Sequence, residues 1–224
     1  MNATQLKVIG IVSMTIDHIG YFLFPQMTVL RMIGRLAYPI FAYMIAEGCR
    51  YTRNKVRYFC TMFAIACTCS AAAYFAERSR YQSIFTTFSC AMLLIFALDS
   101  AAKTAEGARK IPWDVSAALL VFLYFSVFQL QIIPGLETDY GFLGIITPVF
   151  VWLGRSKAEK LLGLTLGLSL LSAELGTIQF CSLAAVALLY FYNGKRGNHS
   201  LKWAFYVYYP LHIAALYGIA QIAP

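Results

Sequence analysis

Long apolar stretches, broken only by short charged punctuation, run through the whole chain. They lie near 6–24, 30–49, 57–76, 82–101, 112–131, 140–154, 158–173, 177–193 and 202–222. A helix crossing a bilayer needs roughly 20 mostly apolar residues, with about 17 as a lower limit. Most of these stretches qualify; the sixth, seventh and eighth are short. Leu161 to Asn193 is 33 residues, about 50 Å of helix at 1.5 Å per residue. Two lean crossings fit there. Basic clusters flank this stretch on both sides, Arg155, Lys157 and Lys160 before it and Lys195, Arg196 and Lys202 after it, so it must cross an even number of times. Two crossings give a total of nine. Composition agrees: 60% of the 224 residues are hydrophobic and 12% are charged, against about 25% charged in soluble domains. That excludes a soluble enzyme and a disordered chain.

The sequence carries a net charge of +8, and its distribution gives the orientation. Lys7, the group Arg50, Arg53, Lys55 and Arg57, the group Lys103, Arg109 and Lys110, and the two clusters above all fall on one side of nine alternating spans. Only Arg78 and Arg80 fall on the other, while Arg31 and Arg35 lie inside the second span. Cytoplasmic loops are the basic ones. The expected fold is therefore all-α and polytopic, with about nine transmembrane helices, the N-terminus in the cytoplasm and the C-terminus outside. The positive charge is topogenic, so no nucleic-acid partner is expected. The first span carries Asp17 and His18 and lacks a small-residue cleavage site, so it reads as a retained helix and not a cleaved signal. The six cysteines fall mostly within spans, without CxxC spacing. They read as small buried thiols, and no metal is expected. With no internal repeat or linker, residues 1–224 read as one domain.

Function must then sit on polar groups at membrane depth, because each is costly there. The first span holds Asp17 and His18, and the second holds Arg31 and Arg35, four apart on one face. Adjacent helix positions do not face each other, so Asp17 cannot simply orient His18. Pro25 to Val29 form a short turn, so the two spans run antiparallel. Counting outward from Met27 puts His18, Asp17 and Arg35 at one depth, roughly 12 Å below the outer turn. Pro39 leaves the Arg35 carbonyl without its helical donor, and Pro210 does the same to Tyr206 beside His212. A polar cavity bounded by spans one, two and nine would explain these features together.

Plainer readings exist for several of these residues. His212 could simply donate to a carbonyl, and an Asp–Arg pair could only fix helix packing. Glu47 and Asp99 read as rim residues at cytoplasmic helix ends, and His199 as an ordinary loop histidine. His18, level with an aspartate and an arginine, reads as functional.

These residues also carry a resemblance. Lys7-Val8-Ile9-Gly10-Ile11, Met14-Thr15-Ile16-Asp17-His18-Ile19-Gly20 and Leu30-Arg31-Met32-Ile33-Gly34-Arg35-Leu36-Ala37-Tyr38-Pro39-Ile40-Phe41-Ala42-Tyr43 resemble the opening of the TraX family. Ile45-Ala46-Glu47-Gly48, Thr52-Arg53-Asn54, Ile84-Phe85-Thr86-Thr87, Tyr140-Gly141-Phe142-Leu143-Gly144, Phe205-Tyr206 and Tyr209-Pro210-Leu211-His212 are similar to later parts of it, in order. From about 103 to 137 the likeness is weak. The family includes the enzyme that acetylates the N-terminus of conjugative pilin, and sequences labelled fimbrial assembly proteins. It looks like a small branch of the transmembrane acyltransferase superfamily, whose members carry an acyl group from cytoplasmic acyl-CoA to an outer acceptor. That pattern, a basic residue, ten residues and then a catalytic histidine, matches Lys7 and His18, with lysine in place of the usual arginine.

The resemblance implies a multi-pass acetyltransferase of the bacterial cytoplasmic membrane, with acetyl-CoA as donor and a pilin, peptide or glycan as acceptor. It implies His18, Asp17 and Arg35 as catalytic residues, and Arg50, Arg53, Lys55, Arg57 and Lys7 as contacts of the coenzyme. Arg31, Tyr140, Tyr209 and His212 would contact the substrate. Phosphates of coenzyme A suit the basic rim. His18 would serve as general base or as nucleophile. Arg35 would stabilise charge on the thioester oxygen, or pair with Asp17 and position His18. Glu137 and Asp139 could attract an ammonium group or form a solvated acidic loop. The competing class is a small proton-coupled secondary transporter with Asp17 and His18 as relay, but no interrupted segments recur in corresponding positions of two halves. A purely structural pilus-assembly partner is the third class.

Overall fold

The computed structural model describes residues 1–104, 111–197 and 202–222, and side chains there except at 76–77 and 202–205. Arg109, Lys110 and His199 therefore lie outside the described residues. The helices are α1 (Ala3–Phe22), α2 (Thr28–Gly34), α3 (Ala37–Tyr51), α4 (Lys55–Glu77), α5 (Ile84–Lys103), α6 (Ile111–Tyr124), α7 (Gly141–Leu153), α8 (Lys157–Leu175), α9 (Ala184–Tyr190) and α10 (Lys202–Ile222). A π-turn at Phe125–Gln129 extends α6, and a 3₁₀ segment at Thr177–Leu183 leads into α9. No strand occurs among the described residues, only an isolated bridge between Gln82 and Thr138. Among the described residues, four helical runs are long and apolar enough to cross a membrane: Thr28–Tyr51, Lys55–Phe75, Ile84–Lys103 and Ile111–Gln129. Helical segments coincide with all nine apolar stretches, the second being split into α2 and α3.

The chain forms two compact units, Met1–Met44 with Leu161–Pro224, and Ile45–Lys160. In the first, a capping box opens α1. The Asn2 side chain accepts from the Gln5 backbone N–H at 3.0 Å, and the Gln5 side chain accepts from Asn2 at 2.9 Å. Leu6, Gly10, Ser13, Met14 and Gly20 form the buried side of this helix, at spacings of three, four and seven that keep to one face. Asp17 falls on that face toward α2, while Thr15, His18 and Phe22 face α10. Thr15 meets Tyr208, His18 meets His212 and Phe22 meets Tyr217. These contacts ascend together in both helices, so α1 and α10 run parallel.

The break between α2 and α3 falls at Arg35–Leu36, three to four residues before Pro39. That is where a missing proline N–H leaves a carbonyl without its helical donor. The turn tightens to compensate: Arg35 N–H is shared between Arg31 and Met32 carbonyls at 3.2 and 3.3 Å, and Leu36 N–H reaches Ile33 at 3.2 Å. Helix α10 continues through Pro210.

In the second unit, two polar ends bracket an apolar middle that contains Phe85, Phe88, Met92, Ile95 and Ile145, all nearly or wholly inaccessible. At one end, Arg50 at the tail of α3 donates to the Trp152 carbonyl and, at 2.8 Å, to that of Gly154, capping α7. Beside it, Lys160 donates to Glu47 at 2.7 Å, and Lys55 and Lys103 both reach Asp99, the latter at 2.8 Å. All these residues come from helix ends that alternation assigns to the basic side. At the other end, Gln82 N–H donates to the Glu137 carbonyl at 2.7 Å, and Thr87 Oγ1 donates to the Asp139 carbonyl at 2.7 Å.

Among the described residues of this unit, the Lys160–Glu47 pair is the most enclosed ion pair, with side chains 10% and 14% exposed. Replacing Lys160 by Met leaves Glu47 uncompensated, at a cost of about 3–5 kcal/mol. Lys160→Met is expected to lower the melting temperature in detergent sharply, and adding Glu47→Gln to restore most of it. An unchanged melting temperature in the single variant would show that the pair holds nothing.

Candidate functional site

The site in the first unit grows from a close approach of two helices. A Cβ on Gly34 would lie 2.1 Å from Asp17 Oδ1, so only glycine lets α2 come this near the carboxylate. Asp17 is held by both arginines. Arg31 Nη1 donates to Oδ2 at 2.5 Å and to the Asp17 carbonyl at 3.2 Å, and Arg35 Nη2 donates to Oδ1 at 3.4 Å. The Arg31 guanidinium also lies over the Tyr21 ring, 5.2 Å from its centroid. A carboxylate 16% exposed in an apolar helix is tolerable only with such compensation. The sequence places Arg35 level with Asp17, and both residues do meet, but Arg31 makes the shorter bond.

Arg35 has a further partner that the sequence pattern does not single out. Its Nη1 donates to Gln179 Oε1 at 3.3 Å. Gln179 sits in the 3₁₀ segment, 2% exposed, and its amide nitrogen is buried with no hydrogen-bond partner. Gln179 is the one glutamine within the eighth apolar stretch, and that isolation is the signal that could have found it.

On the other face of α1, His18 and His212 form a pair. His18 Nδ1 and His212 Nε2 are 2.7 Å apart, and His212 Nδ1 lies 2.9 Å from the Tyr208 carbonyl. The sequence suggests the freed Tyr206 carbonyl as a partner for such a histidine; the observed one belongs to Tyr208. Aromatic rings enclose the pair. Tyr208 stacks on His212 at 4.8 Å and 8°, and Tyr209 stands edge-on to both imidazoles at 5.6 and 6.1 Å. Phe22 closes over His18 at 6.4 Å. The Thr15 and Tyr208 hydroxyls are 2.8 Å apart. His212 is buried and His18 half-buried, so His18 is the more accessible ring of the two.

Of the residues singled out from sequence, Asp17, His18, Arg31, Arg35, Tyr209 and His212 converge in the first unit, where Lys7 also lies on α1. Arg50, Arg53, Lys55, Arg57 and Tyr140 belong to the second unit. There Arg50 and Lys55 hold the internal partners described above, while Arg53 and Arg57 are exposed. They flank Asn54, whose side chain caps α4 by accepting from the Arg57 N–H at 2.8 Å. Tyr140 adopts a left-handed conformation, φ 64°, at the start of α7. Asp139 accepts from the Tyr81 hydroxyl at 2.5 Å, and Glu137 from Gln131 at 3.3 Å, so both acidic residues are engaged within their own unit.

Comparison with known proteins agrees with the sequence resemblance. The family model described as TraX protein matches residues 2–220. A probable fimbrial assembly protein of Dichelobacter nodosus, serogroup H1, is 26% identical over 240 aligned positions, covering 96% of this chain and 94% of that protein. An uncharacterized protein of Rickettsia prowazekii is 50% identical over 52 residues, 23% of this chain and 21% of its own length. No solved structure matches.

The contact between Gly34 and Asp17 yields a direct test. Gly34→Ala inserts a methyl group where the carboxylate lies, and overpacking of this kind costs about 1–3 kcal/mol. A lowered melting temperature in detergent is expected, with a larger drop for Gly34→Val. If both variants melt like the parent, the close approach of α2 to Asp17 is wrong.

Proposed function

This chain belongs to the TraX protein family, and we propose that it is a membrane-embedded acetyltransferase that uses acetyl-CoA to acylate an extracytoplasmic acceptor. The observation that carries this reading is the histidine pair, His18 Nδ1 to His212 Nε2 at 2.7 Å. It is a hydrogen-bonded base of half-buried access, set one residue from a carboxylate held by two guanidiniums. Costly groups kept together in an apolar helix point to chemistry. The match to a probable fimbrial assembly protein along nearly its whole length supports a pilus subunit as acceptor, through its amine.

The nine-span topology, N-terminus in and C-terminus out, is part of the proposal. Parallel α1 and α10 support it, because the first and last of an odd number of crossings run the same way. The clustering of Glu47, Arg50, Lys55, Asp99, Lys103 and Lys160 at one end of the second unit supports a single basic, cytoplasmic face.

The residues present suit the donor. Arg53 and Arg57 are exposed and flank the N-terminus of α4, where backbone N–H groups and guanidiniums both favour phosphate. Those two side chains are the proposed phosphate contacts; Arg50 serves the α7 carbonyls instead. Acetyl-CoA, when bound, supplies the activated acyl group. His18 removes the proton of the acceptor as it attacks. Arg35, with the buried amide of Gln179 beside it, stabilises negative charge on the acyl oxygen. Asp17 holds both arginines in place.

Acetyl transfer by purified protein to a pilin-type peptide tests the reading. His18→Ala should still bind acetyl-CoA while losing about 10²–10⁴ in rate. Arg53→Glu with Arg57→Glu should weaken acetyl-CoA binding by tenfold or more, each charge-assisted contact being worth about 1.5–3 kcal/mol, and leave acceptor affinity unchanged. Full transfer by folded His18→Ala protein would remove His18 from the chemistry. Undiminished acetyl-CoA binding in the double variant would leave the basic loop a topological signal only.

A further inference from the structure

Building on the acetyltransferase reading, in which His18 is the base, we propose that His212 is a positioning residue that fixes His18 as its Nδ1–H tautomer and so leaves the Nε2 lone pair for the substrate. The chain of donors begins at a group of fixed polarity. A carbonyl only accepts, so the His212 nitrogen 2.9 Å from the Tyr208 oxygen carries a proton. A neutral imidazole has one N–H, and His212 Nε2 is therefore a lone pair. His18 Nδ1, 2.7 Å from it, must then be the donor. The remaining nitrogen, His18 Nε2, is left as acceptor. The polarity of one backbone carbonyl thus sets which nitrogen of a different helix is basic.

The surroundings hold this arrangement. Tyr208 stacks flat on His212 and Tyr209 abuts both rings edge-on, which opposes rotation of either imidazole. Tyr208 is in turn tied to α1 through the Thr15 hydroxyl at 2.8 Å. His212 is 8% exposed and its two ring nitrogens are both engaged, so it has no free lone pair for a substrate. It acts through His18.

The consequence for the reaction is specific. His18 Nε2 takes the proton of the acceptor amine while the nitrogen forms its new bond to the acyl carbon. His18 then returns that proton to the sulfur as the carbon–sulfur bond breaks. Between these events His18 is an imidazolium, and its Nδ1–H bond to His212 becomes charge-assisted and stronger. The orienting role matches that of the buried aspartate in a serine-protease triad, filled here by a neutral ring.

The test reads the tautomer directly. The chain has three histidines, and ¹⁵N-labelled imidazoles in detergent-solubilised protein, with His199→Gln to remove the third signal, distinguish Nδ1–H from Nε2–H forms. In water the neutral ring favours Nε2–H. His18 and His212 are both expected as Nδ1–H. His212→Gln offers an amide oxygen to His18 Nδ1–H and should keep both the tautomer and most of the transfer rate. His212→Leu should return His18 to the Nε2–H form and lower transfer by about 10- to 100-fold. An Nε2–H His18 in the parent protein, or an unchanged tautomer in His212→Leu, overturns the proposal; the parent spectrum decides even if the leucine variant does not fold. The spectrum needs no turnover. Expected tautomers in a protein that transfers no acetyl group would contradict the acetyltransferase reading alone, and active protein with Nε2–H His18 would contradict the positioning role alone.

Discussion

The carboxylate of Asp17, set in an apolar helix and gripped by Arg31 and Arg35, is the interaction on which the first unit depends. A lone charge in such a place would be far too costly. With two guanidiniums it becomes a clasp that draws α2 onto α1, and Gly34 removes the one side chain that would prevent this. The clasp also sets the rotation of α1. Once Asp17 faces α2, the residue beside it is turned about 100° away, and His18 faces α10. The polar cost on one face of the helix thereby determines the geometry of the histidine on the other.

Much of this is legible in the sequence because it follows from simple counting. A short turn between two apolar helices fixes which residues share a level, and that alone brings Asp17 and Arg35 together. The nine apolar stretches correspond to helical segments, and the break at Arg35–Leu36 lies where Pro39 predicts a freed carbonyl. Two features are not legible. Counting and the two prolines group spans one, two and nine, yet the direct bond between His18 and His212, 194 positions apart, is not stated by any local pattern. Gln179 lies in a 3₁₀ segment inside an apolar stretch, where helical periodicity gives no face to assign. The basic group after α3 shows the opposite limit. Arg50, Arg53, Lys55 and Arg57 look equivalent as a charge run, yet two of them hold carbonyls or a carboxylate within their unit and two are exposed.

The family and the site answer different questions. The chain belongs to the TraX family across residues 2–220, and one relative along nearly its whole length is described as a probable fimbrial assembly protein. The paired histidines and the clasped carboxylate supply what a scaffold does not require: a hydrogen-bonded imidazole pair beside compensated charge within an apolar helix. The proposed acetyl transfer from a donor on the basic face to an acceptor on the opposite face reconciles the two.

That separation of donor and acceptor is the central claim, and sealed proteoliposomes of known orientation test it. Radiolabelled acetyl-CoA is supplied only on the face bearing the 50–57 loop, and a pilin-type peptide amine only on the opposite face. The account predicts labelled peptide in the peptide compartment, and none when donor and acceptor exchange sides. Labelling that requires both on one side, or that is equal in either orientation, would contradict it.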